Sequence, residues 1–297
     1  MSTVYTLENL QAAANQTKPA RLAVLGYPVA HSASPQLHQP ALDAFEIDAQ
    51  YIRLEVKPGE IAQALDLLKK YNFIGCNVTV PHKFEAMDCC DEISDQARIL
   101  GAVNTIVFDE VKILGSNTDG PGIMRAIDEA FGLSLGEIHT LILGAGGGAG
   151  QAIATQCAMQ KPANLTLANR SIEKIETLAD RLRKISPQTK ITTLTLNDPA
   201  MDFVIRDVDL LLQTSSLGLK ENDPSVISET ILYPEICVYD TIYEPSETRL
   251  LKAAKKKGCR TGNGLSLLLH QGAISFEQWF PGKDPLPIMR RAFGLSS

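Results

Sequence analysis

Lys83 closes an apolar run, Cys76-Asn77-Val78-Thr79-Val80, by way of the turn residues Pro81 and His82. A lysine at the C-terminal end of a strand, beside apolar residues, can have a lowered pKa and exchange a proton with a bound molecule. By composition alone it reads as a surface lysine. Asp119 sits in Gly115-Ser116-Asn117-Thr118-Asp119-Gly120. It reads either as a cap or turn residue before Pro121 or as the carboxylate that orients the Lys83 ammonium and accepts a substrate hydroxyl. Ser32 and Ser34 flank Ala33 just before Pro35, and two hydroxyls beside a helix N-terminus suit a carboxylate. Ser34 reads equally as an ordinary N-cap. His31 in the same segment reads as structural. A carboxylate anchor with an acid/base pair is what hydride transfer to a carbonyl asks of a protein, beyond holding the reactants in position.

A place for a hydride carrier stands at mid-chain. The apolar run Thr140-Leu-Ile-Leu stops in Gly144-Ala145-Gly146-Gly147-Gly148-Ala149-Gly150, and a small-residue helical pattern follows to Gln160. Strand, glycine turn and helix N-terminus in that order cradle a pyrophosphate, with Ala149 at the third fingerprint position. The next strand, from Leu165, ends in Asn169, Arg170 and Ser171 rather than in the acid that would hold a ribose 2′-hydroxyl. A polar, basic cluster suits a 2′-phosphate, and arginine's planar fork binds phosphate oxygens in pairs. The cofactor expected is therefore NADP. The plainer alternative is a strand end whose Ser171 caps the helix beginning at Ile172.

Bulk properties narrow the class. The chain has 297 residues, 44% hydrophobic and 21% charged, as in a globular protein long enough for two domains. A net charge of −6 supplies no basic field for nucleic acid or an acidic membrane surface, and a small-molecule substrate is expected instead. The first 18 residues are polar and no apolar run approaches a membrane span, so a cytoplasmic protein is expected, with a homodimer left open. Six cysteines show no Cys-x-x-Cys pair and no histidine spacing suited to zinc, so no metal is expected. They read as buried thiols, Cys76 included.

The elements that must position these groups alternate strand and helix. Strands are expected at Arg21–Gly26, Tyr51–Val56 and Phe73–Val80, a hairpin over Val103–Leu114 turning at Asp109-Glu110, and further strands at Leu141, Leu165, Ile191, Leu210 and Val238. Helices are expected from Ser34 to about Phe45, from Glu60 to Tyr71, from Pro121 to Phe131 and from Gly264 to Phe280. The expectation is an α/β chain of two domains with mostly parallel sheets. Residues 1–118 with 264–297 would form a substrate-binding catalytic domain, and 119–263 a doubly wound Rossmann-type NADP domain. The last helix would return to the first domain, with the active site in the cleft between the two.

Taken together, these motifs closely resemble the shikimate dehydrogenase family. The resemblance runs in order through His31-Ser32-x-Ser34-Pro35, Asn77-Val78-Thr79-x-Pro81-x-Lys83, Gly101-Ala102-Val103-Asn104-Thr105 and Asn117-Thr118-Asp119-Gly120. It continues through the Gly144 loop, Asn169-Arg170-Ser171, Tyr239-Asp240-x-x-Tyr243-x-Pro245 and His270-Gln271-Gly272. It implies reversible NADP-dependent reduction of 3-dehydroshikimate to shikimate in aromatic (chorismate) biosynthesis. Lys83 and Asp119 are then the catalytic pair. Ser32 and Ser34 hold the carboxylate with Tyr243 nearby, and Thr79, Asn104 and Gln271 contact ring hydroxyls or carboxylate. Gly144, Ala145, Gly146, Gly147, Gly148 and Ala149 take the pyrophosphate, while Asn169, Arg170 and Ser171 take the 2′-phosphate. Thr214 lies near the nicotinamide. Two segments depart from the family pattern. Gln213-Thr214-Ser215-Ser216-Leu217-Gly218 stands where Asn-Ala/Thr-Thr-Ser-x-Gly is commoner, and Asn263-Gly264-Leu265-Ser266-Leu267-Leu268 where Asp-Gly-Leu-Gly-Met-Leu is usual. The rivals are a quinate/shikimate dehydrogenase of mixed cofactor use and a non-catalytic sensor that binds the ligand without turning it over.

Overall fold

The computed structural model describes residues 3–220 and 222–295; the outermost bounds expected for the first domain, 1 and 297, lie outside them. The chain folds as two compact units, one running to Asp119 and resuming at Leu269, the other Gly120–Leu268.

The first unit is built on seven strands: β1 (Val4–Tyr5), β2 (Ala20–Gly26), β3 (Gln50–Glu55), β4 (Gly75–Val78), β5 (Glu92–Ile93), β6 (Thr105–Phe108) and β7 (Ile113–Ser116), in the order β1-β3-β2-β4-β6-β7-β5. β1, β3, β2 and β4 run parallel, whereas β6 is antiparallel to both β4 and β7. This sheet is thus mostly parallel, as expected, with β6 reversed, because β6 and β7 form a tight hairpin closed by the Asp109 N–H on the Lys112 carbonyl at 2.9 Å. The register decides where functional residues gather. With β6 reversed, its N-terminal end and the C-terminal ends of β2, β4 and β7 all lie at one edge of the sheet. The helix Ile61–Lys70 buries Ile61, Ala64, Leu65 and Leu68, at the three- and four-residue spacing its sequence shows. The helix Ser34–Ala44 begins at Ser34 itself, with Ala33 in the capping position, so Ser34 is not the N-cap its sequence suggested. The helix Gly264–Trp279 enters this unit at Leu269. There the Trp279 indole N–H donates to the Ile106 carbonyl at 2.9 Å.

The second unit is a six-stranded, wholly parallel sheet: β8 (His139–Leu143), β9 (Asn164–Asn169), β10 (Lys190–Thr195), β11 (Leu210–Gln213), β12 (Cys237–Asp240) and β13 (Arg260–Asn263), in the order β10-β9-β8-β11-β12-β13. Strand order reverses between β8 and β11, the crevice where doubly wound sheets bind their ligands. Alternate residues feed two cores. Ile142, Leu165, Leu167, Leu210 and Leu212 pack on one face, and Leu141, Leu143, Ala168, Leu211 and Val238 on the other. That is why these strands read as near-continuous apolar runs. β13 was not anticipated. Its Arg-Thr-Gly-Asn sequence is too polar to announce a strand, and it pairs at the edge with β12, where a Cβ on Gly262 would come within 2.8 Å of the Tyr239 ring.

The glycine turn is held by contact as much as by conformation. Gly144 has a φ of +80° and lies against Ser215, where a Cβ would come to 2.7 Å. The closest packing in the turn is made by Gly150, the residue after the third fingerprint position. A Cβ there would meet the Gly144 carbonyl at 2.3 Å and the Thr214 hydroxyl at 2.7 Å, whereas Ala149 is exposed. Gly150→Val should therefore lower the unfolding free energy by about 1–3 kcal/mol or more. Gly148→Ala, whose Cβ would have no neighbour within 4 Å, should stay within about 1 kcal/mol of wild type. Urea unfolding of both variants tests this, and equal midpoints would refute it.

Candidate active site

Lys83 and Asp119 meet. The Lys83 ammonium donates to Asp119 Oδ2 at 2.6 Å, and the two side chains are 29% and 25% exposed, so water reaches a pair that is otherwise enclosed. Each partner arrives from a strand end at the shared edge of the first sheet. Lys83 follows β4 through a turn in which the Thr79 carbonyl accepts from the His82 N–H at 3.0 Å, and the Lys83 carbonyl accepts from the Val103 N–H at 2.9 Å. The buried His82 ring holds that turn down through Nε2 to the Val56 carbonyl at 2.7 Å. Asp119 follows β7, and its N–H donates to Asn117 Oδ1 at 3.0 Å.

Behind the pair lies a buried polar network. Asn77 on β4 accepts from the Tyr51 hydroxyl at 2.7 Å and donates to the Asn104 carbonyl, the Thr105 hydroxyl and the Ser275 hydroxyl at 3.2, 3.2 and 3.0 Å. Asn104 Oδ1 accepts from the Thr118 N–H at 2.8 Å, and Asn104 Nδ2 donates to the Thr118 hydroxyl at 3.1 Å. The Asn104 side chain is 2% exposed and its polar atoms are committed to this lattice. Thr79 is half-buried beneath Gly26, where a Cβ would come to 2.6 Å from its methyl group. Gln271 is half-buried on the last long helix, its carbonyl accepting from the Ser275 hydroxyl at 2.9 Å. Cys76 is fully buried, and burial pushes its thiol well above the usual range, which removes it as a nucleophile.

The serine pair occupies the loop after β2. The Ser32 hydroxyl donates to Ser34 Oγ at 3.1 Å and accepts from the Ser34 N–H at 3.3 Å. This loop adjoins the Lys83 turn through the Tyr27 N–H on the Val80 carbonyl at 3.1 Å. Ser32, Ser34, Thr79, Lys83, Asn104, Asp119 and Gln271 therefore belong to one unit. Tyr243 belongs to the other, half-buried in the loop after β12, where burial and then the Glu244 carboxylate push its phenol upward.

The second unit has the donors a dinucleotide needs. Gly147 precedes the helix Gly148–Met159 with no side chain to cap it, and Gly147, Gly148 and Ala149 are exposed. The first N–H groups of that helix are thus open to a phosphate. Gly146 lies against Asn169 and Lys174, where a Cβ would come to 2.5 Å of the Asn169 amide and 3.2 Å of Lys174 Cβ. Arg170 is exposed beside them. Ser171 takes the N-cap position of Ile172–Ile185, but its hydroxyl donates to Glu173 at 3.3 Å and makes no cap bond. These residues fit a pyrophosphate with a 2′-phosphate alongside. Lys174 was missed in the sequence. Its signal was position: three residues after Ser171, it returns to the same side of the helix. Thr214 donates to the Leu143 carbonyl at 2.7 Å and so ties β11 to β8 at the crevice.

Residues 24–106 match the model of the shikimate dehydrogenase substrate binding domain. The NADP(+) shikimate dehydrogenase of Carboxydothermus hydrogenoformans is 38% identical over 92% of this chain and 96% of its own. The chain belongs to the shikimate dehydrogenase family. The crystal structure of the Aquifex aeolicus shikimate dehydrogenase superposes with a TM-score of 0.84 at 33% identity, covering 94% of this chain and 98% of that one. A quinate dehydrogenase from Corynebacterium glutamicum in complex with NAD superposes at 0.82 with 27% identity, over 92% and 97%.

Both departures from the family pattern have local partners here. Gln213 spans its loop, donating to the Ser215 and Leu217 carbonyls at 3.2 and 2.8 Å and accepting from the Ser215 N–H at 3.0 Å. Ser266, in place of the family's glycine, bonds the buried Tyr239 hydroxyl at 2.8 Å. In the Tyr239-Asp240-x-x-Tyr243 motif, Asp240 is fully buried and accepts from the Ile242 N–H at 3.1 Å and the Thr248 hydroxyl at 2.7 Å. Burial outweighs both bonds and pushes its carboxyl up to about 6 from 3.8. The folded state then binds the proton more tightly than the unfolded chain, so this group's contribution to stability is full below pH 3.8 and is lost as pH rises to about 6. Asp240→Asn should remove that decline. Unfolding midpoints at about pH 4.5 and 7 would show wild type losing stability relative to the variant over this interval. Parallel pH profiles would contradict it.

Proposed function

We propose that the protein is an NADP-dependent shikimate dehydrogenase that reversibly reduces 3-dehydroshikimate to shikimate. The observation carrying this reading is the Lys83–Asp119 pair, 2.6 Å apart at a strand-end edge. Bound NADPH supplies hydride to the ring carbonyl. The chain supplies the rest. Asp119 holds the Lys83 ammonium in one position, where Nζ stabilises charge gathering on the carbonyl oxygen and passes it a proton. In the oxidising direction the same nitrogen takes the proton back, and Asp119 accepts the substrate hydroxyl. Ser32 and Ser34 hold the carboxylate, with Tyr243 assigned to the same group by its motif. Thr79, Asn104 and Gln271 order the ring hydroxyls, Asn104 doing so through the lattice that fixes Thr118 and Asp119.

For the cofactor, Gly144 to Ala149 receive the pyrophosphate and Asn169, Arg170 and Ser171 the 2′-phosphate, with Lys174 as a second cation. Thr214 forms the crevice wall near the nicotinamide. No acid stands at Asn169, where an NAD site would carry one, which favours NADP and a biosynthetic direction over quinate oxidation with NAD. Cytoplasmic residence is the setting proposed, in keeping with six unpaired cysteines.

Lys83→Ala should lower kcat by about 10²–10⁴-fold with little change in Tm. Near-normal turnover of shikimate with NADP+ would remove Lys83 from the chemistry. Arg170→Ala should raise KM for NADP+ far more than for NAD+, by about tenfold or more, because a charge-assisted phosphate contact is lost from one cofactor only. An equal effect on both would refute the 2′-phosphate assignment. Wild type that reduces neither cofactor with shikimate or quinate would leave the sensor reading.

A further inference from the structure

The serine loop rests on a buried cation. Arg53 lies on β3, two residues beyond Tyr51 and therefore on the same face of the strand, and it is 4% exposed. Its Nε and Nη2 both donate to the Ser32 carbonyl, at 2.9 and 2.5 Å, and Nη2 also donates to Gln36 Oε1 at 3.0 Å. Among the described residues no carboxylate stands within 4.0 Å of the guanidinium. A buried charge without a counter-ion is among the most costly arrangements in a protein interior. Here it sits behind two hydroxyls at the start of the helix Ser34–Ala44, where the guanidinium and the helix N-terminus both favour an anion; Glu55, two residues on along the same strand face, makes no ion pair with it within 4.0 Å. Two donors on one carbonyl also polarise the Ser32–Ala33 peptide and sharpen its N–H as a donor.

We infer that Arg53 is a positioning residue that determines charge specificity. It pins the Ser32 carbonyl so that the serine hydroxyls stand in fixed geometry, and its unpaired charge makes the loop select a carboxylate-bearing substrate over a neutral analogue. The counter-ion missing from the protein is the one the substrate brings. This assignment rests on the proposed reaction and adds to it a residue that does not touch the substrate.

The test uses the full chain, NADP+, and two substrates differing in one charge, shikimate and shikimate methyl ester. Wild type should prefer shikimate in kcat/KM. Arg53→Met should raise KM for shikimate by about tenfold or more, with a smaller fall in kcat and little change for the ester, so that the preference collapses. Because Arg53→Met removes a buried, hydrogen-bonded group, Gln36→Glu serves as a second variant. Gln36 is exposed, and a carboxylate there gives Arg53 an internal counter-ion without removing it. It should likewise raise KM for shikimate several-fold and spare the ester. An unchanged shikimate KM in either folded variant, or equal rises for both substrates, would overturn the assignment and leave Arg53 a structural residue. Wild type that does not oxidise shikimate at all overturns the proposed reaction and this inference with it. Wild type that does so, with variants that keep its preference, overturns the inference alone.

Discussion

A buried amide must find partners for its oxygen and both N–H groups, and Asn77 finds them on several separate segments of the first unit. Its bonds reach β3 through Tyr51, the start of β6 through Asn104 and Thr105, and the last long helix through Ser275. The Asn104 carbonyl and the Thr105 and Ser275 hydroxyls have further partners within the same lattice, so Asn77 is one node of a cross-linked network that fixes these segments together. Asn104 extends the lattice to Thr118, and Thr118 is the residue before Asp119. The carboxylate facing Lys83 is thus aimed by a chain of hydrogen bonds that begins on the neighbouring strand. Charge placed at the surface of such a lattice is held by packing, with little rotamer freedom left to lose when a ligand arrives.

The nucleotide unit solves its positioning problem with backbone instead. Gly144, Gly146 and Gly150 let main chain approach Ser215, Asn169 and Thr214 more closely than any side chain would allow. The two departures from the family pattern show how tolerant the surrounding frame is. A longer amide at Gln213 reaches two carbonyls across its loop, and a hydroxyl at Ser266 reaches the Tyr239 phenol. In both cases the replacement supplies its own partner, so a polar group added at a packed position leaves no unsatisfied bond.

Much of this was legible in the sequence because it depends on local rules. Four of the six nucleotide-domain strands carry apolar runs, β10 is marked by Ile and Leu among β-branched threonines, the glycine turn stands between a strand and a helix, and Asp109-Glu110 marks a hairpin. The polar edge strand β13 had no such signal. Single-residue roles failed where neighbours in space decide them. Ser34 proved to be the first helical residue and not its cap, and the tight packing of Gly150 against Gly144 and Thr214 had no signal of its own. Lys174 and Arg53 were passed over because a lone basic residue in a helix or strand looks like solvent-facing charge. Only the fold brings the first beside Gly146 and the second under Ser32.

The first unit is discontinuous, interrupted after Asp119 by the whole of Gly120–Leu268 and completed from Leu269 onward. During synthesis the ribosome therefore delivers Asn77, Thr105 and Ile106 long before Ser275 and Trp279, the side chains that satisfy them. The nucleotide unit, by contrast, is one continuous stretch and waits for no distant segment. The growing chain thus carries an open first sheet, its polar groups still short of partners, throughout the synthesis of the nucleotide unit. Completion of the substrate domain is thus a late event that awaits the docking of the last long helix.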